Sequence, residues 1–225
     1  QRITLAARGA GRTADAIVLV AVSKTFPAEA VQAAAEAGQR DFGENYVQEG
    51  VAKVRALQEA AGQPPLVWHF VGPVQSNKTR AIAEHFDWVQ SVERLKVAQR
   101  LSEQRPDGLP PLNVLLQVNV SGEASKSGVA PSDLPVLAAA VAALPRLRLR
   151  GLMAIPEPAA DPAVQRVPLQ RMRQLYDALR RDHPGAGIDT LSMGMTADLE
   201  AAVAAGATMV RIGTAIFGQR ERKPA

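Results

Sequence analysis

The chain contains no cysteine in 225 residues, which excludes disulfides, thiolate metal sites and a cysteine nucleophile. Histidine is nearly absent as well. His69, His85 and His183 are too dispersed to suggest a zinc site. Aromatic residues make up only 4%, so stacking surfaces for nucleic acid are scarce. No apolar run approaches the roughly 18 residues needed to span a membrane. The first residues also lack the apolar core of a signal peptide. These absences lead to the expectation of a soluble, cytoplasmic protein with no membrane partner. The net charge of +4 and an isoelectric point near 9.8 invite a nucleic-acid reading. The cations, however, are scattered as singles and pairs apart from Arg146, Arg148 and Arg150, and no basic tail follows. A solvated surface is the plainer account, and no nucleic-acid partner is expected.

What is present is aliphatic. Hydrophobic residues reach 47%, and with so few aromatics the core must be built from Ala, Val, Leu and Ile. That suits buried parallel strands covered by Ala-rich helices. The length suits one closed α/β barrel, a fold that occupies about 200–250 residues as a single domain.

Short β-branched runs alternate with helical stretches along the whole chain. Residues 17–22 (IVLVAV) form a continuous apolar run, as a strand buried on both faces requires. Pro27 opens a helix over 27–37, and Gly38 stops it. Strand two is read at 40–42, a helix at 45–60, and a break at Pro64-Pro65. Strand three follows at 66–71, a helix at 79–85, strand four at 88–90 and a helix at 93–104. Residues 113–120 (NVLLQVNV) give strand five and 131–144 its helix. Strand six is read at 149–154 with a long amphipathic helix at 167–182. Strand seven at 190–192, a helix at 196–205 and strand eight at 208–212 complete the series. Eight strands alternating with helices predict a (β/α)8 TIM-type barrel, one domain over 1–225. An open doubly wound sheet is the alternative, because strands two, four and seven are weak.

In a barrel, chemistry sits on the loops after the strands' C-terminal ends, and unusual polar residues collect there. Lys24 follows strand one, Glu44-Asn45 strand two, and Gln75, Ser76, Asn77 and Lys78 strand three. Ser91 follows strand four, Asn119 and Ser121 end strand five, and Met153 ends strand six. The run Ser192, Met193, Gly194, Met195, Thr196 follows strand seven; Gly213 and Thr214 follow strand eight. Gly194 and Gly213 lack a Cβ, so backbone N–H groups there can approach an anion closely. Thr196 stands where a helix is expected to begin, with unpaired N–H groups and a positive dipole end. Turning and capping a helix would explain Gly194 and Thr196 equally well. Lys24 leaves the most apolar strand, and an amine in a partly desolvated barrel mouth gains nucleophilic character. An ordinary solvated lysine is the alternative there. Only six lysines occur beside twenty arginines, which favours a specific use of the amine. GPVQSNKT at 72–79 resembles a P-loop, but Asn77 replaces the second glycine and Pro73 removes an N–H.

The segments AVSKTFP, RDFGENYVQE, WHFVGPVQSNK, SGEASKSG, RGLMAIP, SMGMTADLEAA and RIGTAIFGQR, collinear over 17–220, together resemble the pyridoxal phosphate homeostasis proteins. That family resembles the barrel domain of alanine racemase without its second, β-rich domain. The resemblance implies a cofactor, pyridoxal 5′-phosphate (PLP), held as a Schiff base on Lys24. It places Asn45 beside the cofactor ring and Arg211 opposite the pyridine nitrogen. Gly194 and Thr196, with Gly213 and Thr214, would hold the phosphate, and Met193 joins them among the cofactor-binding residues. Lys126, in SKSG, matches a family lysine that assists cofactor handling. The departures are Phe26 where many members have Lys, Val74 where Leu is frequent, and Thr196 where Ser is common; Thr keeps the hydroxyl. The first helix is short, with the expectation that residues precede Gln1.

An arginine cannot accept a proton, so a ring nitrogen facing Arg211 stays unprotonated and stabilises carbanions weakly. Racemisation would need acid–base groups on both faces. The only tyrosines are Tyr46, expected to pack on a helix, and Tyr176. The expected function is therefore a PLP carrier rather than an enzyme, releasing the cofactor to PLP-dependent apo-enzymes. An amino-acid racemase or decarboxylase is the alternative, and an interaction module with a vestigial site is a third. No self-associating stripe is evident, so a monomer is expected.

Overall fold

A computed structural model describes residues 1–58, 65–122, 126–157, 159 and 161–219. The apolar runs become eight strands: β1 (Val18–Val22), β2 (Asp41–Glu44), β3 (Val67–Phe70), β4 (Trp88–Val92), β5 (Leu112–Gln117), β6 (Leu147–Met153), β7 (Thr190–Ser192) and β8 (Met209–Ile212). They pair in chain order, every pair parallel, and β8 closes on β1 with Val20 opposite Arg211. The barrel excludes the open sheet. The weak strands pair because each is flanked on both sides, so even three residues of β7 find a ladder.

The helices are α1 (Arg2–Gly9), α2 (Ala28–Glu36), α3 (Val47–Gln58), α4 (Thr79–His85), α5 (Leu95–Gln104), α6 (Leu134–Ala142), α7 (Pro162–Asp182), α8 (Leu199–Ala204) and α9 (Thr214–Phe217). Alternate residues of each strand face these helices. Phe42, Phe70, Val89, Leu116 and Val210 pack there with Ile82, Leu101 and Met172 in one continuous apolar layer. The inward positions differ. A small cluster of Trp88, Leu115 and Met153 occupies part of the lumen. Buried His69, Gln90, Ser192 and Arg211 occupy inward positions too, where a filled barrel usually carries branched aliphatics.

Several boundaries differ from the sequence reading, each for a local reason. The helix expected at 196–205 begins at Leu199, because residues 196–198 form a turn in which Asp198 Oδ1 accepts the Met195 N–H at 2.6 Å. The helix expected at 167–182 begins at Pro162. Asp161 caps it by accepting the Ala163 N–H at 2.7 Å, and Pro168 is tolerated where the helix is solvated. Strand five stops at Gln117, and Val118 makes a single bridge to Val129. The short α9 had no periodic signal. Residues 59–60 of the helix expected at 45–60 and Pro64 lie outside the described residues.

Candidate functional site

Lys24 sits two residues beyond β1, half-buried, in a turn closed by the Phe26 N–H donating to Ser23 O at 3.1 Å. The turn is held from beneath. The Ser23 hydroxyl donates to Glu44 Oε1 at 2.6 Å, and the Thr25 N–H donates to Glu49 Oε1 at 2.5 Å. Lys53 Nζ reaches Glu44 Oε1 at 2.7 Å, Glu49 Oε1 at 2.7 Å and Ser23 O at 2.8 Å. Both Lys53 and Glu44 are buried, and Glu44 Oε2 has no hydrogen-bond partner. Burial pushes the Glu44 carboxyl up from its ordinary range, against the pull of the Lys53 and Ser23 hydrogen bonds.

The loop after β8 lies beside this turn, and the loop after β7 lies next beyond it around the barrel. Gly194 has φ +99°, and a Cβ there would meet Ala202 Cβ at 2.6 Å. Its missing side chain thus serves packing on α8, while its carbonyl accepts the Arg211 N–H at 3.0 Å. Met193 is fully buried, and its N–H donates to Met209 O at 3.2 Å. Thr196 is half-buried in the turn before α8, so it does not begin that helix. Gly213 leads into α9, and a Cβ there would lie 3.1 Å from Val22 O. Thr214 is exposed as the first residue of α9. Phe217 of α9 stacks on Phe26, ring centroids 5.1 Å apart, which ties the β8 loop to the Lys24 turn.

Arg211 is buried on β8, and its guanidinium is held by neutral acceptors. Nη1 donates to Ser192 Oγ at 2.6 Å and Nη2 to Ala154 O at 2.8 Å. Burial pulls its pKa down to about 10, opposed by the nearby Asp198 carboxylate. Ser192 donates onward to Gln90 Oε1 at 2.7 Å, Gln90 Nε2 contacts His69 Nδ1 at 3.0 Å, and His69 Nε2 contacts Asp41 Oδ1 at 2.9 Å. In the sequence Ser192 reads as the end of strand seven and the start of its loop, and Gln90, His69 and Asp41 carry no site expectation. The available signal was their position: polar residues inside runs that a strand buried on both faces should fill with aliphatics.

Other expected residues stand further off or in other roles. Asn45 follows β2 directly, half-buried, its carbonyl packed where a Cβ on Gly72 would come within 2.3 Å. Lys126 pairs with Glu157 at 2.6 Å, joining the loops after β5 and β6 at the same barrel end. Residues 123–125 of its motif lie outside the described residues. Tyr46 is 54% exposed, so it does not pack on a helix as expected; Tyr176 is buried on α7. In the P-loop-like stretch, the Thr79 hydroxyl is spent on Ser76 O at 3.0 Å.

A family model described as the alanine racemase N-terminal domain matches residues 7–221. The chain is 64% identical over 220 residues to the pyridoxal phosphate homeostasis protein of Pseudomonas aeruginosa, covering 98% of this chain and 92% of that one. It is 57% identical over 220 residues to the protein of the same name from Escherichia coli K12, covering 98% and 93%. Among solved structures it resembles PipY of Synechococcus elongatus PCC7942 with PLP bound. The TM-score is 0.83 at 36% identity, covering 96% of this chain and 100% of that one.

Proposed function

The chain belongs to the pyridoxal phosphate homeostasis proteins, and from that premise we propose that it binds PLP at the barrel mouth as a Schiff base on Lys24 and releases it to other enzymes in the cytoplasm. The donor set fits such a guest. An amine, the hydroxyls of Thr196 and Thr214 and the first turn of α9 lie on the loops at one end of the barrel, and a fixed guanidinium stands on β8. Condensation joins the Lys24 amine to the aldehyde carbon and releases water, so the bond is reversible by hydrolysis.

When bound, the cofactor supplies an electron sink whose strength depends on protonation of its ring nitrogen. The observation that carries a holding role is that Arg211 is fixed by two neutral oxygens on the strand paired with β1. A guanidinium offers protons and accepts none, so it favours the neutral ring and a weak sink. Lys24 binds, Arg211 orients, and Phe26 with Phe217 braces the loop on the phosphate side.

Hydride trapping of the PLP-loaded protein followed by peptide mass spectrometry tests the bond. The adduct is expected on Lys24 and absent in Lys24→Ala; an adduct elsewhere overturns the assignment. Transfer of PLP to an apo-enzyme, without sustained turnover of an amino-acid panel, separates the carrier from the racemase or decarboxylase alternative.

A further inference from the structure

The hydrogen bonds that begin at Arg211 run in one direction across the barrel lumen. Arg211 Nη1 can only donate, so Ser192 Oγ accepts. The Ser192 proton then goes to Gln90 Oε1, which leaves the Gln90 amide nitrogen pointing at His69 Nδ1 and, at 3.1 Å, Met209 Sδ. His69 Nδ1 must therefore accept, its proton lies on Nε2, and that proton goes to Asp41 Oδ1. The chain starts on a cation and ends on a carboxylate. It crosses from β8 and β7 to β4, β3 and β2 with every donor matched to an acceptor.

Each member fixes the rotor of the next. A serine hydroxyl turns freely unless its proton is claimed, and Gln90 claims it. The amide in turn is fixed by His69. That ring stacks on Trp88 with centroids 5.3 Å apart, under the Arg150 guanidinium at 4.7 Å from the Trp88 ring. Arg150 is itself held by Asp189 and by Asn113 Oδ1 at 2.9 Å. The far end of the chain is thus anchored to a packed and ion-paired floor.

We propose that Gln90 and His69 are positioning residues for Arg211: they lock the Ser192 hydroxyl as an acceptor, so the buried guanidinium keeps one orientation toward the mouth. The inference rests on the PLP reading for its purpose, but not for its physical content. Among the described residues the Arg211 side chain is hydrogen-bonded to Ser192 Oγ and Ala154 O, so loss of the serine acceptor leaves a single pivot. Satisfied buried networks of this kind specify one arrangement, and half-satisfied ones do not.

The test compares Gln90→Met, which removes the acceptor at similar length, with Gln90→Glu, which retains an oxygen for Ser192. In protein without added PLP, nitrogen NMR of the Arg211 guanidinium reads its rotation. Gln90→Met is expected to speed rotation about two- to tenfold, the effect of losing one neutral hydrogen bond that orders the serine, and Gln90→Glu to stay near wild type. PLP affinity should weaken about tenfold in Gln90→Met. Val89→Ala, on the same strand but in the outer apolar layer, should lower stability without changing either readout. Should Gln90→Met not fold, Gln90→Leu makes the same cut. Unchanged rotation in Gln90→Met or Gln90→Leu overturns the proposal, as does fast rotation in Gln90→Glu. Faster rotation in a protein whose wild type takes up no PLP would keep the network and sink the functional reading instead.

Discussion

Glu49 accepts the backbone N–H of Thr25 at 2.5 Å, and Thr25 is the one non-glycine residue with positive φ, +69°, among the described residues. The carboxylate on α3 thereby holds the residue after Lys24 in a conformation that a β-branched side chain resists. The same oxygen takes Lys53 Nζ, so the turn, α3 and the end of β2 form one unit.

Left-handed backbone costs a β-branched residue roughly 1–2 kcal/mol, and a glycine's extra freedom costs roughly 0.5–1 kcal/mol. Thr25→Gly is therefore expected to stabilise the fold by up to about 1 kcal/mol in urea unfolding. Glu49→Ala should destabilise it by about 1–3 kcal/mol and slow the reaction of Lys24 with PLP. A Thr25→Gly protein clearly less stable than wild type would show that the turn is not strained.

Removing the Lys53 ammonium leaves Glu44 buried without its cation. Lys53→Met is expected to cost roughly 3–5 kcal/mol, and the double variant with Glu44→Gln to recover most of it. Equilibrium urea unfolding of the four proteins measures this coupling. An additive double variant would mean the pair does not interact.

Because burial raises the Glu44 carboxyl, the folded chain holds that proton more tightly than the unfolded chain does. Its contribution is then fully present below the unfolded value, about 4.3, and is lost as pH rises through the raised folded value. The stability difference between wild type and Glu44→Gln should fall across that window. A difference that grows with pH would mean that the Lys53 and Ser23 contacts outweigh burial.

The two site glycines should separate. Gly194→Ala meets both the positive φ and Ala202 Cβ at 2.6 Å, so it is expected to cost roughly 1–3 kcal/mol. Ala202→Gly should restore part of that loss. Gly213 has φ −113° and only Val22 nearby, its carbonyl at 3.1 Å and its Cβ at 3.6 Å, so Gly213→Ala should change stability by less than about 1 kcal/mol while weakening PLP binding. Equal losses of stability would contradict the packing role of Gly194.

The Phe26–Phe217 stack joins the turn after β1 to α9 after β8, beyond the paired ends of those two strands. A double-mutant cycle with Phe26→Leu and Phe217→Leu is expected to give a coupling of about 0.5–1.5 kcal/mol, with PLP affinity reduced in each single variant. A coupling near zero would show two independent loops.

Much of the architecture was legible from hydrophobic period alone. The run at residues 17–22 and the Ala-rich helices announced β1 and its cover, and Gly38 marked a helix end. Thr79–His85 and Thr190–Ser192 fall where the sequence put them. The starts of α7 and α8 were not legible because Asp161 and Asp198 act through side-chain hydrogen bonds that no period reports. Among site residues, Lys24 and the glycine loops stood out by type and place. Lys53, Glu49 and Gln90 did not, because each looks like an ordinary helix or strand residue until its partner is known.

The sequence by itself determined eight strands, their alternation with helices, and which strand ends collect polar residues, since those follow from local period and residue type. The tertiary structure alone decided that β8 meets β1, which brings Arg211 onto the strand beside the one that delivers Lys24. It also decided that Ser192, Gln90 and His69 face one another across the lumen. Barrel closure sets those neighbours, and closure is a property of all eight strands together that no short stretch of chain encodes.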